Sequence, residues 1–462
     1  MPSSRIASKS VVLLATLLAA TTGHGAPAVT PGMPGQPPLA IENVTVLDLE
    51  RDRKLANCTV LVRDGLIEAL SDKEIELPKQ ALRIDGTGLY LLPGLAEMHA
   101  HIPSQSQGTA YTNRVLFLYL AAGVTTVRGM LGEPGHLRLR AAAKGYELLS
   151  PRIYTSGPSF NGRSVNSPTA ARNMARSQHM AGYDFLKLHP GLTRDEYDAL
   201  VDTANDLDIP FAGHVSAEVG ITRTLQARQA TIDHLDGYMQ ALVTADYQPD
   251  NAGFFGAALV SGVDEQRIDE VAKATAAANV WNVPTQSLIE NFVLPVDADT
   301  MATRPEMRYM PASTVATWRR RKSDVLASPE YDAASARRFV DVRHRLILAL
   351  HKAGAKLLLG SDAPQVFNVP GFAIHRELET LVEAGLTPRE ALLTGTANPA
   401  RFFGASNTFG FVRAGLEADL LLLYADPTQN IGNISKIAGV VARGRWLSRE
   451  TIDRRLEKLA HK

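Results

Sequence analysis

The spacing of apolar and polar residues divides the chain into three textures. Between residues 39 and 90 the period is two. Ile41-Glu42-Asn43-Val44-Thr45-Val46-Leu47 alternates as a half-buried strand does. Cys58-Thr59-Val60-Leu61-Val62 and Leu66-Ile67-Glu68-Ala69-Leu70 flank Arg63-Asp64-Gly65, and Asp-Gly is a favoured hairpin turn. From residue 91 short apolar runs alternate with longer segments of helical period. Eight runs read as strands: Leu95–His101, Thr125–Met130, Arg152–Ser156, Phe185–His189, Pro210–His214, Thr231–His234, Val280–Thr285 and Lys356–Asp362. Arg194 to Leu207 and Glu265 to Asn279 are examples of the helices between them. From about residue 405 the strand pattern returns, in Phe409–Val412, Ala418–Leu423 and Val440–Trp446.

Eight β-α repeats predict an α/β fold, a (β/α)8 TIM barrel over residues 91–404. The segments 39–90 and 405–448 are each too small to fold alone. They are expected to pair into one small β-sandwich domain. Residues 286–350 are too long for a simple connection between the seventh and eighth strands. The helical patterns Ala312 to Leu326 and Ala333 to Ala353 within them predict a cap or wall over the site. The eighth helix is expected to begin near Gly371 or His375, and the charged tail from Arg449 reads as a helix.

The N-terminus changes the picture. Arg5 and Lys9 precede the apolar run Val11 to Ala20, and small residues follow from Thr21 to Ala26. That is the order of a secretory signal peptide over residues 1–25, too short to remain as a membrane span. Residues 26–38 read as a Pro-rich leader, so a periplasmic or secreted protein without a stable membrane anchor is expected. With 48 basic and 48 acidic residues the formal net charge is zero. That balance offers nothing to nucleic acid or an anionic membrane surface. The basic run Arg319-Arg320-Arg321-Lys322 reads as a solvated helix face. Cys58 is the single cysteine, which excludes an intrachain disulfide and a Cys-based metal site. Assembly into a homo-oligomer stays open.

In barrels of this kind chemistry sits at the C-terminal ends of the strands. The first strand, entered through Pro93-Gly94, carries His99 and His101 on one face, because side chains alternate along a strand. Alone the pair is weak: with 12 histidines an HxH spacing arises by chance about 0.3 times. Other strand ends add Lys187, His214, His234 and Asp362. Imidazoles and carboxylates suit zinc and related divalent ions. Two such ions can bridge a hydroxide at neutral pH. A lysine inside an apolar strand needs a partner or a modification, and carbamylated Lys187 would be an anionic bridge. Asp362 can both bind an ion and carry a proton to a leaving amine.

His99-x-His101, Lys187, His214, His234 and Asp362 on eight strands resemble the metal-dependent amidohydrolase superfamily. Leu92-Pro93-Gly94-Leu95, Ala122-Gly123-Val124-Thr125-Thr126-Val127-Arg128, Gly360-Ser361-Asp362-Ala363-Pro364, Ala384–Leu392 and Gly415-Leu416-Glu417-Ala418-Asp419-Leu420 carry the same likeness. It runs from about 39 to 447. It is nearest to the imidazolonepropionase-related branch that holds prolidase-like dipeptidases. The strand-four lysine implies the binuclear type and argues against imidazolonepropionase itself. By similarity, His99, His101 and Asp362 hold one ion, His214 and His234 the other, and Lys187 bridges them. The resemblance implies hydrolysis of amide bonds, in dipeptides or N-acyl amino acids, by a metal-bridging hydroxide. Gly129 departs from the branch, where an acidic or amide residue is commoner.

Further residues are candidates for the substrate. Tyr238 resembles a tyrosine that polarises the scissile carbonyl in some relatives. His189 shares a face with Lys187 and is placed to orient substrate. Arg128 and Arg163 could pair with a substrate carboxylate, and His375 is either a pocket residue or part of a helix start. The apolar loop Gln365–Phe372 suggests a hydrophobic substrate wall. A lactone or ester hydrolase, a mononuclear deaminase, and a non-catalytic relative are the alternatives on the same scaffold. A Ser-His-Asp hydrolase is disfavoured because no G-x-S-x-G elbow is present.

Overall fold

The computed structural model describes residues 36–244, 247 and 252–460. The expected signal peptide, and the leader up to residue 35, lie outside the described residues. The fold is mixed α/β. Each of the eight expected strands forms, numbered here β1 (Leu95–Ala100), β2 (Val124–Gly129), β3 (Arg152–Thr155), β4 (Leu186–Leu188), β5 (Phe211–Gly213), β6 (Thr231–Asp233), β7 (Trp281–Val283) and β8 (Lys356–Leu357). They make two parallel sheets, β1-β2-β3 and β4-β5-β6-β7-β8. Two seams join these sheets. Parallel bridges Ser156↔Phe185 and Phe160↔Leu188 connect the β3 and β4 ends. Across the other seam Met98 N donates to Leu359 O at 2.8 Å, Asp362 N to His99 O at 3.0 Å and His101 N to Ala363 O at 2.9 Å. The parallel strands therefore run around a ring, and the ends of β1 and β8 are held side by side.

Local signals set the intervening helices. Thr193 and Glu196 form a capping box at Arg194–Asp206, and Thr387 and Glu390 form another at Pro388–Gly395. Pro168 occupies the first turn of Pro168–Ala181 behind the Ser167 cap. Arg194–Asp206 and Pro168–Ala181 bury one face and expose the other.

The segments flanking the ring meet in a second sheet. Tyr90–Pro93 pairs antiparallel with Leu420–Leu423, so residues far apart in sequence share one ladder. Arg53–Arg63 and Leu66–Ser71 form the hairpin turned by Asp64 and Gly65, both at positive φ. The expected two-sheet sandwich is instead one eight-stranded sheet. It curls because Ile67 N donates to Leu416 O and Gly415 N to Ile67 O, which brings its far edge round to the strand at Leu420. Ile41, Val60, Ile67, Leu91 and Leu420 fill the inside of the curl. Glu417 and Asp419 each accept from Arg152 Nη2, at 2.7 and 2.8 Å, and lock this sheet to the start of β3.

Between β7 and β8 lie Gln286–Val293, Ala298–Ala302, Ala312–Leu326 and Ala333–Lys352. The last carries Arg343, fully buried, which donates to His234 O at 2.9 Å, Pro284 O at 3.1 Å and Gln286 Oε1 at 2.8 Å. The insertion thus braces the ends of β6 and β7 from outside. Arg319, Arg320 and Arg321 are exposed, but Lys322 is buried and its Nζ donates to Phe292 O and Leu294 O. The basic run is a solvated face only in its first three residues. No described helix is long and apolar enough to cross a membrane.

Candidate metal centre

The ends of β1, β4, β5, β6 and β8 converge. His101 Nε2 lies 2.6 Å from Asp362 Oδ1, and His99 Nε2 lies 3.6 Å from the same oxygen. Ligand atoms of His99, His101 and Asp362 all fall within 4.8 Å of one another. The His234 ring is 4.5 Å from His99 and 4.6 Å from His214, centroid to centroid. Lys187, fully buried on β4, points its amine toward Asp233, 3.8 Å away. Backbone geometry helps aim these groups. His234, Thr285 and Asp362 have φ of 62°, 48° and 60°. Left-handed backbone costs a non-glycine residue about 1–3 kcal/mol and collects at functional sites.

Three of the histidines have one ring nitrogen near a protein oxygen that orients the ring. His214 Nδ1 is 3.0 Å from Asp236 Oδ2, His234 Nδ1 is 2.8 Å from Thr285 Oγ1, and His99 Nδ1 is 3.0 Å from Asp233 Oδ2. Such partners fix the ring and leave the other nitrogen for a metal. Asp233, Asp236 and Thr285 are functional residues that sequence reasoning missed. For the two carboxylates the local signal is adjacency, since Asp233-His234-Leu235-Asp236 brackets a candidate ligand; Thr285 has none.

Glu97 is a fourth residue missed. Fully buried on β1, it accepts from His99 N at 3.0 Å, Ser361 N at 2.9 Å and Ser361 Oγ at 2.5 Å. It clips the backbone beside His99 to the backbone beside Asp362. Burial pushes its carboxyl up to about 8, against the bonds from Ser361 and His99.

The electrostatics favour neutral ligands around a retained negative charge. Burial, then the charge on Lys187, drives His99 well below the usual imidazole range. Burial and the neighbouring His99 do the same to His234. Burial alone would raise the Asp233 carboxyl, but Arg128, Lys187 and His234 hold it below the ordinary range. Burial pushes the Lys187 amine down to about 8, opposed by Asp233 and Asp362.

The residues present fit divalent ions. Lys187 Nζ is buried with no hydrogen-bond partner among the described residues and stands 3.8 Å from Asp233 Oδ2. Buried polar atoms are normally satisfied, and an unsatisfied amine beside the cluster of His99, His101 and Asp362 marks a place for an additional group. Space is kept open there. Gly213 on β5 has φ +129°, and a Cβ would overlap Leu188 O and come within 3.1 Å of Lys187 Nζ.

Four substrate expectations stand differently. Arg128 cannot reach a substrate carboxylate. It is fully buried, donates from Nε to Met98 O at 2.7 Å, bonds Thr231 and Asp233, and lies between the rings of Phe185 and Phe402. Tyr238 is fully buried too, its hydroxyl 2.7 Å from Asn282 Oδ1 and 3.0 Å from Thr275 Oγ1, so it belongs to the packing behind β7. His375 is buried on helix Phe372–Glu383 and meets Ala122 O through Nε2 at 2.9 Å, a structural contact. Val366, Phe367 and Val369 are buried, and Phe367 faces Trp318, so that loop is core and not substrate wall. His189 does reach the site, stacked on His214 at 4.9 Å. Arg163 is exposed on the loop after β3.

A model of the amidohydrolase family matches residues 90–447. Among solved structures, bottromycin amidohydrolase superposes with a TM-score of 0.72 at 22% identity, over 92% of this chain and 91% of that one. A prolidase complexed with N-methylphosphonate-L-proline gives 0.67 at 20% identity, over 89% and 100%. A Xaa-Pro dipeptidase with bound methionine gives 0.64 at 18% identity, also over 89% and 100%. At these identities the likeness concerns the fold. No curated protein matches the chain in sequence.

Proposed function

The chain belongs to the amidohydrolase family, and from that premise we propose that it is a binuclear metal-dependent hydrolase of amide bonds in dipeptides or N-acyl amino acids. The ring of parallel strands is then a (β/α)8 barrel with its site at the strand C-terminal ends. The observation that carries the reading is the convergence of His99, His101 and Asp362, whose ligand atoms lie within 4.8 Å of one another, beside the buried Lys187 amine that has no hydrogen-bond partner among the described residues. His99, His101 and Asp362 would hold one ion and His214 and His234 the other, zinc being the natural choice for such donors. Lys187, carbamylated, would bridge them. Its amine at about 8 leaves a usable neutral fraction at pH 7 for reaction with CO2. When bound, the ions supply Lewis acidity and lower the pKa of water to about 7.

The chain's own residues do the rest. Asp233, Asp236 and Thr285 hold three imidazoles in orientation, and Glu97 fixes β1 against β8 so that His101 and Asp362 keep their 2.6 Å approach. Asp362 receives the proton of the attacking water on its carboxylate and delivers it to the leaving amine. His189, beside His214, orients the substrate. Arg163, exposed on the loop after β3, is the candidate to pair with a substrate carboxylate. The basic, apolar, small order of residues 5–26 supports export through a signal peptide.

The test is metal content with bicarbonate present, in the wild type and in Lys187→Ala, beside a panel of dipeptides, N-acyl amino acids, esters and lactones. Close to two ions per chain, falling in the variant, together with amide turnover, is the expected result. One ion unchanged by the substitution, with ammonia released from amine substrates, would replace the reading with a mononuclear deaminase. Absence of any bound ion after reconstitution would overturn catalysis by this site.

A further inference from the structure

We propose that Phe255 is the specificity-determining residue of this site, the apolar surface on which a bulky side chain of the substrate packs beside His214 and His234. The inference rests on the hydrolase reading above for the chemistry, but not for the geometry. The Phe255 ring centroid is 4.9 Å from that of His234 and 6.0 Å from that of His214, with only 16° between the Phe255 and His214 planes. It is half-buried, so part of its face is open. The candidate ligands beside it are imidazoles, a carboxylate and the Lys187 amine. A substrate's hydrocarbon part would find its apolar partner on this ring.

The loop is built to place it there. Phe255 has φ 48° and ψ 34°, a left-handed conformation that aromatic residues rarely adopt. It is flanked by Gly253 at φ 69° and Gly256 at φ 84°. A Cβ on Gly256 would stand 2.6 Å from Met239 Cβ, so the close approach of the loop to helix Tyr238–Leu242 depends on that glycine. Phe254 anchors the turn by stacking on Phe292 at 4.0 Å. Two successive phenylalanines thus do different work: Phe254 faces the insertion and Phe255 faces the histidines. The two rings also meet edge to face at 4.5 Å and Phe255 borders the main core, yet its ring lies beside the histidines on a left-handed backbone of the kind that collects at functional sites.

The measurement compares substrates and inert probes that differ by one phenyl group. Dipeptides Gly-Gly, Gly-Phe and Phe-Gly report kcat/KM, and calorimetry of acetate against phenylacetate on the metal-loaded protein reports binding without turnover. The wild type is expected to favour one phenyl-bearing dipeptide and phenylacetate by tenfold or more, a ratio of the size apolar pockets give. Phe255→Ala should collapse both ratios, chiefly through KM and Kd, while Phe255→Leu keeps most of the preference. Equal wild-type binding of acetate and phenylacetate, or ratios unchanged in Phe255→Ala, overturns the proposal. Equal losses on all ligands would make the ring merely structural and overturn it too. Failure of the hydrolase reading looks different: no dipeptide is cleaved, yet the probe ratio still answers for Phe255.

Discussion

Replacing Asp233 by asparagine keeps the volume of a fully buried side chain and removes one negative charge from beneath the candidate metal centre. Two separate losses follow. Oδ2 stands 3.0 Å from His99 Nδ1, where a carboxylate orients the ring. Losing such a partner weakens metal binding about 10- to 100-fold, or roughly 1.4–2.8 kcal/mol. Oδ1 accepts from Thr231 Oγ1 at 2.6 Å and from Arg128 at 3.4 Å. Breaking a buried ion pair costs about 3–5 kcal/mol. Arg128 keeps its bonds to Met98 O and Thr231 Oγ1, so about 3 kcal/mol of stability is the expected loss. Ion affinity is read by competition with a chelating dye, and stability by denaturant unfolding of the metal-free protein. Asp236→Asn is the control. Its partner His214 is a candidate ligand, and no buried cation pairs with Asp236 among the described residues. It should lower ion affinity by a similar factor with little loss of stability. If Asp233→Asn destabilised the fold but left ion affinity within about twofold, the orienting role would be refuted and Asp233 would be only the counter-ion of Arg128 and Lys187.

Other outcomes follow from the same structure. Tyr238→Phe should leave kcat/KM within about twofold while lowering stability by about 1–2 kcal/mol, because its hydroxyl serves Asn282 and Thr275 and no substrate; a large drop in kcat with unchanged stability would restore it to the site. Gly213→Ala should lower stability by at least about 1–3 kcal/mol, because it strains a positive-φ position and its Cβ would overlap Leu188 O; denaturant unfolding of the metal-free variant indistinguishable from wild type would refute that. Burial lifts the Glu377 carboxyl to about 7, against the bonds it accepts from Ser287 N and Gln286 N. Between the unfolded value near 4.5 and the folded value near 7, the folded state binds the extra proton. Stability therefore falls as pH rises through that window, by up to about 3 kcal/mol. Glu377→Gln should flatten this slope in denaturant titrations from pH 4.5 to 7.5, and parallel curves for the two proteins would contradict it.

Much of the architecture was legible because it rests on local periodicity. The eight strand positions, the Asp64-Gly65 turn and the insertion helices each depend on residues within a few positions of one another. The candidate ligands were legible for a related reason: in a strand-helix alternation the strand ends mark a common face, so His99, His101, Lys187, His214, His234 and Asp362 could be gathered without coordinates. The Gly415–Leu420 motif was visible as a motif, but its physical use was not. Glu417 and Asp419 grip Arg152 more than 260 residues away.

What the sequence determined by itself is therefore the order of elements and which residue types stand at their ends. The tertiary structure alone decided direction and depth. Arg128, Tyr238 and His375 sit at suggestive sequence positions, yet each turns into the interior and is bonded there. Asp233, Asp236, Thr285 and Glu97 look like ordinary polar residues until the strands close around them. Phe255 lies on a turn whose left-handed backbone no periodicity encodes. The physical reason is common to all of them. Secondary structure arises from near neighbours along the chain, whereas burial, pKa and the pairing of a carboxylate with a particular imidazole depend on groups brought together only when the ring assembles.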